Sequence, residues 1–187
     1  MGVKHRGEKQ LFKILRPKVY VNSIYNIDLN KLIKVKNIKG ILIDLDNTLV
    51  AWGKKEVSQK NIDWVNDAKK LGLKICIVSN TNSKRVAELA KIFGIPYHSK
   101  YFKPFSAAFN SGLKILNTKK TETAVIGDQI FTDIWGGNRL KLLTILVSPV
   151  AKKDSIGTFL HRNLEKIIIS FWIRRSIIIK VVGNWPR

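Results

Sequence analysis

The chain has 187 residues, of which 45% are hydrophobic and 25% are charged, and its 34 lysines and arginines against 13 acidic residues give a formal charge of +21. This composition is typical of a globular protein with a single domain and excludes a disordered or collagen-like chain. One cysteine excludes a disulfide framework and a cysteine-based zinc cluster. The positive charge predicts an anionic partner but does not choose among nucleic acid, lipid headgroups and phosphorylated small molecules.

Neither end of the chain predicts a membrane-spanning segment. Residues 1–13 are basic but lack the apolar run of a secretory signal. The longest apolar stretch, residues 167–182, is interrupted by serine, arginine and lysine, and it falls short of the roughly 18 uninterrupted apolar residues of a spanning helix. We therefore expect a cytoplasmic protein that can also bind peripherally to the inner face of a membrane.

Short apolar runs rich in Ile, Val and Leu predict buried parallel strands, because each run is nearly continuous rather than alternating. These runs lie at 40–45, 73–78, 123–126 and 142–147, with a further short strand near 95–97. Helical segments separate them, at 58–71, 82–93, 105–116 and 130–140. Ser58 and Asn82 are suited to begin helices, and Gly72 and Gly94 to end them. The alternation predicts βαβ units and an α/β fold, with a mainly parallel sheet covered by helices on both faces.

We predict a single domain over 1–187, with a core at about 37–150 and two appendages, a basic segment at 1–36 and a helical segment at 156–182. The helical segment has a predicted apolar face formed by Leu160, Leu164, Ile167, Ile168, Phe171 and Ile178. Arg174 and Arg175 project into that face, which predicts either a break in the helix or a surface that meets acidic headgroups. Simple packing of this helix on the sheet is an equal alternative.

Four aspartates lie in two motifs that directly follow predicted strands. Asp44 and Asp46 belong to Asp-Leu-Asp-Asn-Thr, and Asp128 and Asp133 belong to Gly-Asp-Gln-Ile-Phe-Thr-Asp. Ligands of an open parallel sheet bind beyond the carboxyl ends of its strands, so these carboxylates can converge there. Because converging carboxylates repel one another, such a cluster needs a cation, and Mg²⁺ is a hard ion that prefers oxygen ligands. We therefore predict Mg²⁺ as a cofactor.

These motifs resemble, in order, the four motifs of the haloacid dehalogenase superfamily. Asp44 to Thr48 is similar to the first motif, Ser79-Asn80 to the second, Lys103-Pro104 to the third, and 127–133 to the acidic fourth. The finer pattern, which includes Gly-Gly-Asn-Arg at 136–139, is similar to the YqeG-type phosphatases of class IIIA, relatives of the phosphatidylglycerophosphate phosphatases. The similarity covers about residues 15–150 and implies a three-layer, Rossmann-like fold. The intervals 49–57 and 81–102 are too short for a cap domain, so an open site is expected.

The resemblance implies a role for each matched residue. Asp44 would be the nucleophile, and Asp46 the acid and base. Metal ligands would come from Asp44, Asp128 and the backbone carbonyl of Asp46, with Asp133 supporting them. The residues expected to bind phosphate are Thr48, Ser79, Asn80 and Lys103.

Two more residues are candidates for substrate binding. Trp52 follows the first motif, where a packing or hinge role is equally compatible with the sequence. Arg139 can grip a second phosphate next to Gly136 and Gly137, or it can simply lie at a helix end with glycine caps.

The expected function is Mg²⁺-dependent hydrolysis of a phosphomonoester through an aspartyl-phosphate, and the resemblance implies phosphatidylglycerophosphate as the substrate. One alternative is a soluble phosphatase for a nucleotide, a sugar phosphate or a polynucleotide end. Another is a non-catalytic module that binds RNA or the ribosome. Nucleic acid is the less favoured partner, because the sequence lacks an interleaved pattern of basic and aromatic residues for stacking bases.

Overall fold

The computed structural model describes residues 13–151, 156–174 and 180–181, and these residues include a sheet of seven strands. The strands are β1 (Val19–Val21), β2 (Gly40–Ile43), β3 (Lys74–Val78), β4 (Tyr97–His98), β5 (Thr123–Gly127), β6 (Leu143–Val147) and β7 (Lys180–Val181). Across the sheet they lie in the order β4-β3-β2-β5-β6-β1-β7, and every pairing is parallel. The five strands predicted from apolar runs are confirmed to within two residues at each end.

Helices connect the strands as the alternation predicts. They are α1 (Leu29–Lys34), α2 (Gln59–Lys70), α3 (Ser83–Phe93), α4 (Ser106–Leu116), α5 (Trp135–Arg139) and α6 (Ile156–Arg174), and a π-helical turn at Ile130–Ile134 leads directly into α5. The predicted caps are confirmed: Ser58 Oγ accepts a hydrogen bond from Asn61 N at 3.2 Å, and Asn82 Oδ1 accepts one from Lys84 N at 2.9 Å. Gly94 ends α3 with a left-handed φ of 61°, which a glycine adopts without strain.

The sheet has two apolar faces, because side chains alternate along each strand and both sets are buried. Ile41, Ile43 and Ile77 pack against the side that α2 and α3 cover. Leu42 and Val78 pack on the other side, against α4. The fold is therefore α/β with three layers, as predicted.

One strand of the sheet, β1, lies within the N-terminal segment 1–36 that the sequence predicts as an appendage. Strand β1 lies between β6 and β7, with Val19 opposite Ile145. The side chain of Asn138 holds the residues before it, because Nδ2 donates to the carbonyls of Ile14 at 2.7 Å and Arg16 at 2.9 Å. The sequence analysis missed this strand because three residues are too few to form a recognisable apolar run.

Helix α6 packs on the sheet with a different face from the one predicted. Trp172 is buried against Tyr20, Ile130 and Leu146, and Glu165 is buried as well. The predicted face is instead exposed at Leu164, Ile167 and Phe171, while Ile168 is partly buried. The prediction was wrong because the Glu165 carboxylate accepts a hydrogen bond from Phe131 N at 3.1 Å, which turns a charged residue toward the sheet.

Other predictions for this segment have mixed outcomes. The helix continues to Arg174, so a break, one of the two outcomes predicted there, does not occur before that residue. Arg175 and Ile178 lie outside the described residues, and so does the side chain of Leu160. Among the described residues, the helices are either too short or too polar to cross a membrane.

Candidate active site

The strand register brings the predicted motifs to one edge of the sheet. Ile43 of β2 lies opposite Ile77 of β3 and Ile126 of β5. Asp44 follows directly after this shared level, and Ser79 and Asp128 follow two residues after it on the neighbouring strands. The carboxyl ends of parallel strands meet at the same edge, so the register alone explains why these distant residues meet.

Three carboxylates converge at this edge around one lysine. Oxygens of Asp44, Asp128 and Asp133 all lie within 4.8 Å of one another. Lys103 Nζ donates to Asp44 Oδ1 at 2.5 Å and to Asp133 Oδ1 at 2.7 Å. All four side chains are buried, with Lys103 only 5% and Asp44 only 7% exposed.

The electrostatics of the cluster favour a protonated lysine and disfavour the ionised form of Asp44. Burial raises the pKa of Asp44 well above its usual value, and Asp133 and Asp128 raise it further, although Lys103 opposes them. Burial alone would lower the pKa of Lys103, but Asp133 and Asp44 together outweigh it and raise that pKa above its ordinary value. Lys103 therefore stays cationic, whereas the ionised form of Asp44 lacks sufficient positive charge around it.

The donor set of this cluster fits a divalent cation. Three carboxylates carry up to three negative charges, and the single ammonium of Lys103 offsets one of them. Carboxylate oxygens are the ligands that hard divalent ions prefer, and the ion would replace the missing positive charge. Asp133 is one of the three clustered carboxylates, although the sequence analysis expected it only to support the metal ligands. It also accepts a hydrogen bond from Lys103.

Asp46, two residues after Asp44, has hydrogen-bond partners of its own. Arg85 NH1 donates to Asp46 Oδ1 at 2.7 Å, and Thr81 Oγ1 donates to Asp46 Oδ2. Arg85 NH2 also donates to the carbonyl of Lys54 at 2.7 Å. The sequence analysis missed Thr81 and Arg85. Their position on the loop after β3 and the first turn of α3 was a usable signal, because that segment follows the second motif directly.

The first motif is folded into a tight loop by its own backbone. Asn47 has a left-handed φ of 59°, and its backbone N donates to Val50 O at 2.6 Å. Its side-chain Oδ1 accepts a hydrogen bond from Trp52 N at 3.1 Å, and its carbonyl accepts one from Val150 N at 2.9 Å. Asn tolerates the left-handed region better than most residues, which explains its place in the motif.

Several residues predicted to bind phosphate also make hydrogen bonds to other parts of the site. Thr48 Oγ1 donates to Asp128 Oδ1 at 3.2 Å and is buried. Asn80 clamps the backbone of Lys103, accepting from its N at 2.7 Å and donating to its O at 3.1 Å. Ser79 is buried at the end of β3, where its Oγ accepts from Thr81 N at 3.2 Å. These contacts make Thr48 and Asn80 supports for Asp128 and Lys103.

Gly127 is required by the close approach of Asp133. A Cβ atom at this position would lie 2.2 Å from Asp133 Cγ, where no atom can fit. Asp133 Oδ2 also accepts a hydrogen bond from Gln129 N at 3.2 Å. The π-helical turn after β5 thus folds Asp133 back over the glycine and onto Lys103.

The structure does not bring Arg139 to this cluster. Arg139 ends α5, just before β6 begins at Leu143, and therefore lies at the opposite edge of the sheet from Asp44. Its guanidinium lies 5.9 Å from the Trp135 ring centroid. The two glycines before it serve close packing, because a Cβ on Gly136 would meet Phe109 at 2.3 Å. A second phosphate site at Arg139 would thus be remote from the aspartates.

Trp52 lies on the loop after the first motif and is 38% exposed. Residues 51–58, where a cap domain would be inserted, contain no helix or strand. This described stretch therefore holds no inserted domain, as the sequence predicts.

This fold, with acidic residues and a lysine at the carboxyl edge of a parallel sheet, defines a hydrolase of the haloacid dehalogenase class. In agreement, residues 61–141 match the family model of the haloacid dehalogenase-like hydrolases. A solved structure of an uncharacterized protein from Listeria monocytogenes serotype 4b aligns with a TM-score of 0.51 and 17% identity, over 74% of this chain and 99% of that one. That likeness shows the shared fold.

Two proteins of similar sequence indicate which group of haloacid dehalogenase hydrolases the chain resembles. The chain is 42% identical over 166 residues to the probable phosphatase YqeG of Bacillus subtilis (strain 168). The aligned region covers 89% of this chain and 96% of that protein. The chain therefore belongs to the YqeG-type phosphatases of the haloacid dehalogenase superfamily. It is also 28% identical over 177 residues to the chloroplastic and mitochondrial phosphatidylglycerophosphate phosphatase 1 of Arabidopsis thaliana, covering 86% of this chain but only 49% of that relative.

Proposed function

We propose that this phosphatase hydrolyses a phosphomonoester with Mg²⁺ through an aspartyl-phosphate on Asp44, and that its substrate is phosphatidylglycerophosphate. One observation carries the chemical part: three buried carboxylates and one buried lysine meet at the carboxyl edge of the sheet. A buried surplus of negative charge is costly unless a cation offsets it. That surplus supports a site built for a metal and an anionic substrate together.

In the first half-reaction, an Asp44 oxygen attacks phosphorus while the bond between phosphorus and the ester oxygen breaks. Lys103 Nζ lies 2.5 Å from Asp44 Oδ1 and is held in place by Asp133, so its charge stabilises both the nucleophile and the incoming phosphoryl group. Asp46 donates a proton to the leaving oxygen, which departs as an alcohol.

In the second half-reaction, Asp46 accepts a proton from water, and the water oxygen bonds to phosphorus as the bond to Asp44 breaks. The hydrogen bonds from Thr81 and Arg85 hold the Asp46 carboxylate in one orientation, which supports its proposed role as the base that takes the proton from water. Inorganic phosphate and free Asp44 are the products.

The bound Mg²⁺ would offset the negative charge of the phosphate and the carboxylates. Asp44, Asp128 and the backbone carbonyl of Asp46 would hold it. Thr48 orients Asp128 for this purpose through its hydrogen bond to Oδ1.

Two observations support a lipid substrate over a small soluble one. The site has no cap over residues 51–58, so a phosphate on a bulky molecule can enter while the rest stays outside. The chain also carries a net charge of +21, which favours contact with an anionic membrane. The Arabidopsis relative, which is named for phosphatidylglycerophosphate, adds to this support.

The test compares phosphate release from phosphatidylglycerophosphate and from soluble phosphomonoesters, each with Mg²⁺ or with a chelator. We expect release from the lipid that stops when the metal is removed and is abolished in Asp44→Asn. Asp67→Asn is the matched control, because Asp67 is an exposed aspartate on α2. Faster release from a nucleotide or a sugar phosphate than from the lipid would reject the substrate, and unchanged activity in Asp44→Asn would reject the mechanism.

A further inference from the structure

Large apolar side chains are exposed on segments that follow the carboxyl ends of strands, at the edge of the sheet that carries the catalytic residues. They are Trp52, Tyr101, Phe102, Phe105 and Val150, and we call this set the site rim. Phe105 is 66% exposed and Phe102 is 58% exposed, both unusually high values for phenylalanine. Exposed apolar groups that gather at one place mark a surface that meets a partner or a membrane.

The rim is fixed to the catalytic residues through the backbone. Tyr101, Phe102 and Phe105 flank the buried Lys103 on the segment between β4 and α4. Phe105 N donates to the carbonyl of Phe102 at 3.0 Å, so the two phenylalanines share one turn. The turn exposes its aromatic rings while its lysine points inward to Asp44.

The other two rim residues, Trp52 and Val150, are hydrogen-bonded to the first motif. Trp52 N donates to the Asn47 side chain, and Val150 N donates to the Asn47 carbonyl. Both residues are thereby attached to the loop that carries Asp44 and Asp46. Trp52 follows β2, Val150 follows β6, and the turn that contains Lys103 follows β4. All the rim residues therefore lie after the carboxyl ends of strands, as the catalytic residues do.

Cationic side chains accompany the rim. Lys100 Nζ lies 5.6 Å from the Tyr101 ring centroid, and Lys54 and Lys84 are exposed near Arg85 in the loop after β2 and the first turn of α3. Trp and Tyr are enriched at the interface between water and lipid, and Phe is common on the apolar side of segments that lie in that interface. Each lysine near an anionic lipid surface contributes about 1 kcal/mol. Aromatic rings beside lysines therefore match the chemistry of an anionic bilayer surface.

We propose that the site rim docks on an anionic phospholipid bilayer, with Phe102 and Phe105 inserted among the headgroups and the catalytic site facing the membrane. This inference rests on the proposed lipid substrate and specifies how that substrate is reached. A lipid phosphate stays near the membrane plane, whereas Asp44 is buried beneath the rim. Docking by the rim brings the headgroup to Asp44 without removing the lipid from the bilayer.

Site-specific fluorescence tests this orientation in the full-length chain. The one native cysteine, Cys76, is buried, so Phe105→Cys provides a single accessible position for an environment-sensitive dye. Ile92→Cys is the matched control, because Ile92 is 50% exposed near the end of α3, at the opposite edge of the sheet. With vesicles containing phosphatidylglycerol, we expect the emission at position 105 to shift to the blue and that at position 92 to stay unchanged. No shift at 105, or an equal shift at 92, overturns the proposal.

Binding to the same vesicles gives a second measurement. The double variant Phe102→Ser/Phe105→Ser loses the apolar area of both inserted rings, so it should bind vesicles roughly tenfold more weakly or worse. The variant Ile92→Ser should bind like the wild type. If the double variant binds normally while Ile167→Ser on α6 loses binding, α6 is the docking surface and the rim is not. A rim-dependent association of two protein copies without vesicle binding likewise overturns the proposal.

Asp44→Asn separates this inference from the proposed reaction, because it removes the nucleophile and keeps the rim. Vesicle binding by Asp44→Asn, combined with no lipid hydrolysis by the wild type, would support docking and reject the substrate. Hydrolysis of vesicle-bound lipid by the Phe102→Ser/Phe105→Ser variant at the wild-type rate would support the substrate and reject docking. Thermal unfolding of the double variant should match the wild type, since both side chains are exposed.

Discussion

The guanidinium of Arg85 joins Asp46 to the loop above the site: NH1 lies 2.7 Å from Asp46 Oδ1, and NH2 lies 2.7 Å from the carbonyl oxygen of Lys54. The arginine is largely buried, and its Nε has no hydrogen-bond partner among the described residues. The planar guanidinium presents separate nitrogens to the carboxylate and to the carbonyl at fixed relative positions, whereas a lysine presents all its donors from one nitrogen. Arg85 therefore sets the orientation of the proposed acid and base.

Arg85→Met should lower kcat by about 10- to 100-fold, because Asp46 would lose its orienting partner. Arg85→Lys should recover only part of the activity, since a single ammonium nitrogen cannot reproduce the two fixed donor positions of the guanidinium. Steady-state kinetics on a soluble phosphomonoester provide the measurement. Lys84→Met removes the same charge from an exposed neighbouring position and should retain activity, so an equal loss there would point to a general charge effect.

Mg²⁺ should stabilise the fold, because it relieves repulsion among Asp44, Asp128 and Asp133. At about 100 times the dissociation constant, the expected gain in the free energy of unfolding is about 2.7 kcal/mol. Asp128→Asn should lose most of this gain and be no less stable than the wild type in a chelator, since it removes one repelling charge. Thermal melts with and without Mg²⁺ measure the effect. An undiminished gain in Asp128→Asn would remove this residue from the proposed ligands.

Gly127→Ala should disrupt the catalytic cluster, because its Cβ would overlap Asp133 and push it from Lys103. We expect a loss of about 1–3 kcal/mol in the free energy of unfolding and a sharp fall in kcat. The comparison is Gly72→Ala, where φ is 88° but a methyl group added to the glycine would have no atom within 4 Å of it. That variant should lose stability through backbone strain and keep its activity. Equal activity in both variants would contradict the contact between Gly127 and Asp133.

Cys76 should resist alkylation in the folded protein, because burial raises the pKa of its thiol from 9.0 to about 12. At pH 8, only about one thiol in ten thousand would be ionised by this shift, and the thiolate is the reactive form. The raised pKa contributes stability below pH 9 that is lost as the pH rises toward 12. Labelling before and after unfolding in guanidinium chloride measures the protection; rapid labelling of the native protein would contradict it.

The sequence predicts the central strands and the motifs well, because both depend on local patterns. Ile-rich runs next to Asp44 and Asp128 show where strands end, and strand ends determine the edge at which these residues meet. Contacts between remote segments are harder to foresee. The bond from Arg85 to Asp46 joins residues 39 positions apart: the place of Arg85 just after the second motif suggests a role at the site, but no local pattern identifies Asp46 as its partner.

Helix α6 illustrates a second limit of local patterns. A helical wheel favours burial of Leu164 and Ile167, yet the structure buries Glu165 because a backbone amide at Phe131 is available to it. Apolar residues occur on both sides of this helix, so hydrophobicity alone does not choose the face. The choice depends on a partner that the helix sequence does not contain.

The position of β1 has a consequence for synthesis of the chain. Lys18, next to β1, donates its backbone N–H to Thr144, which is 126 positions later. During translation, this early segment leaves the ribosome long before β6 exists, so its place in the sheet must remain open until nearly the whole core has emerged. Pairing of such distant segments slows folding. Closure of this half of the sheet is therefore expected to be a late event, after β2, β3 and β5 have assembled the catalytic edge.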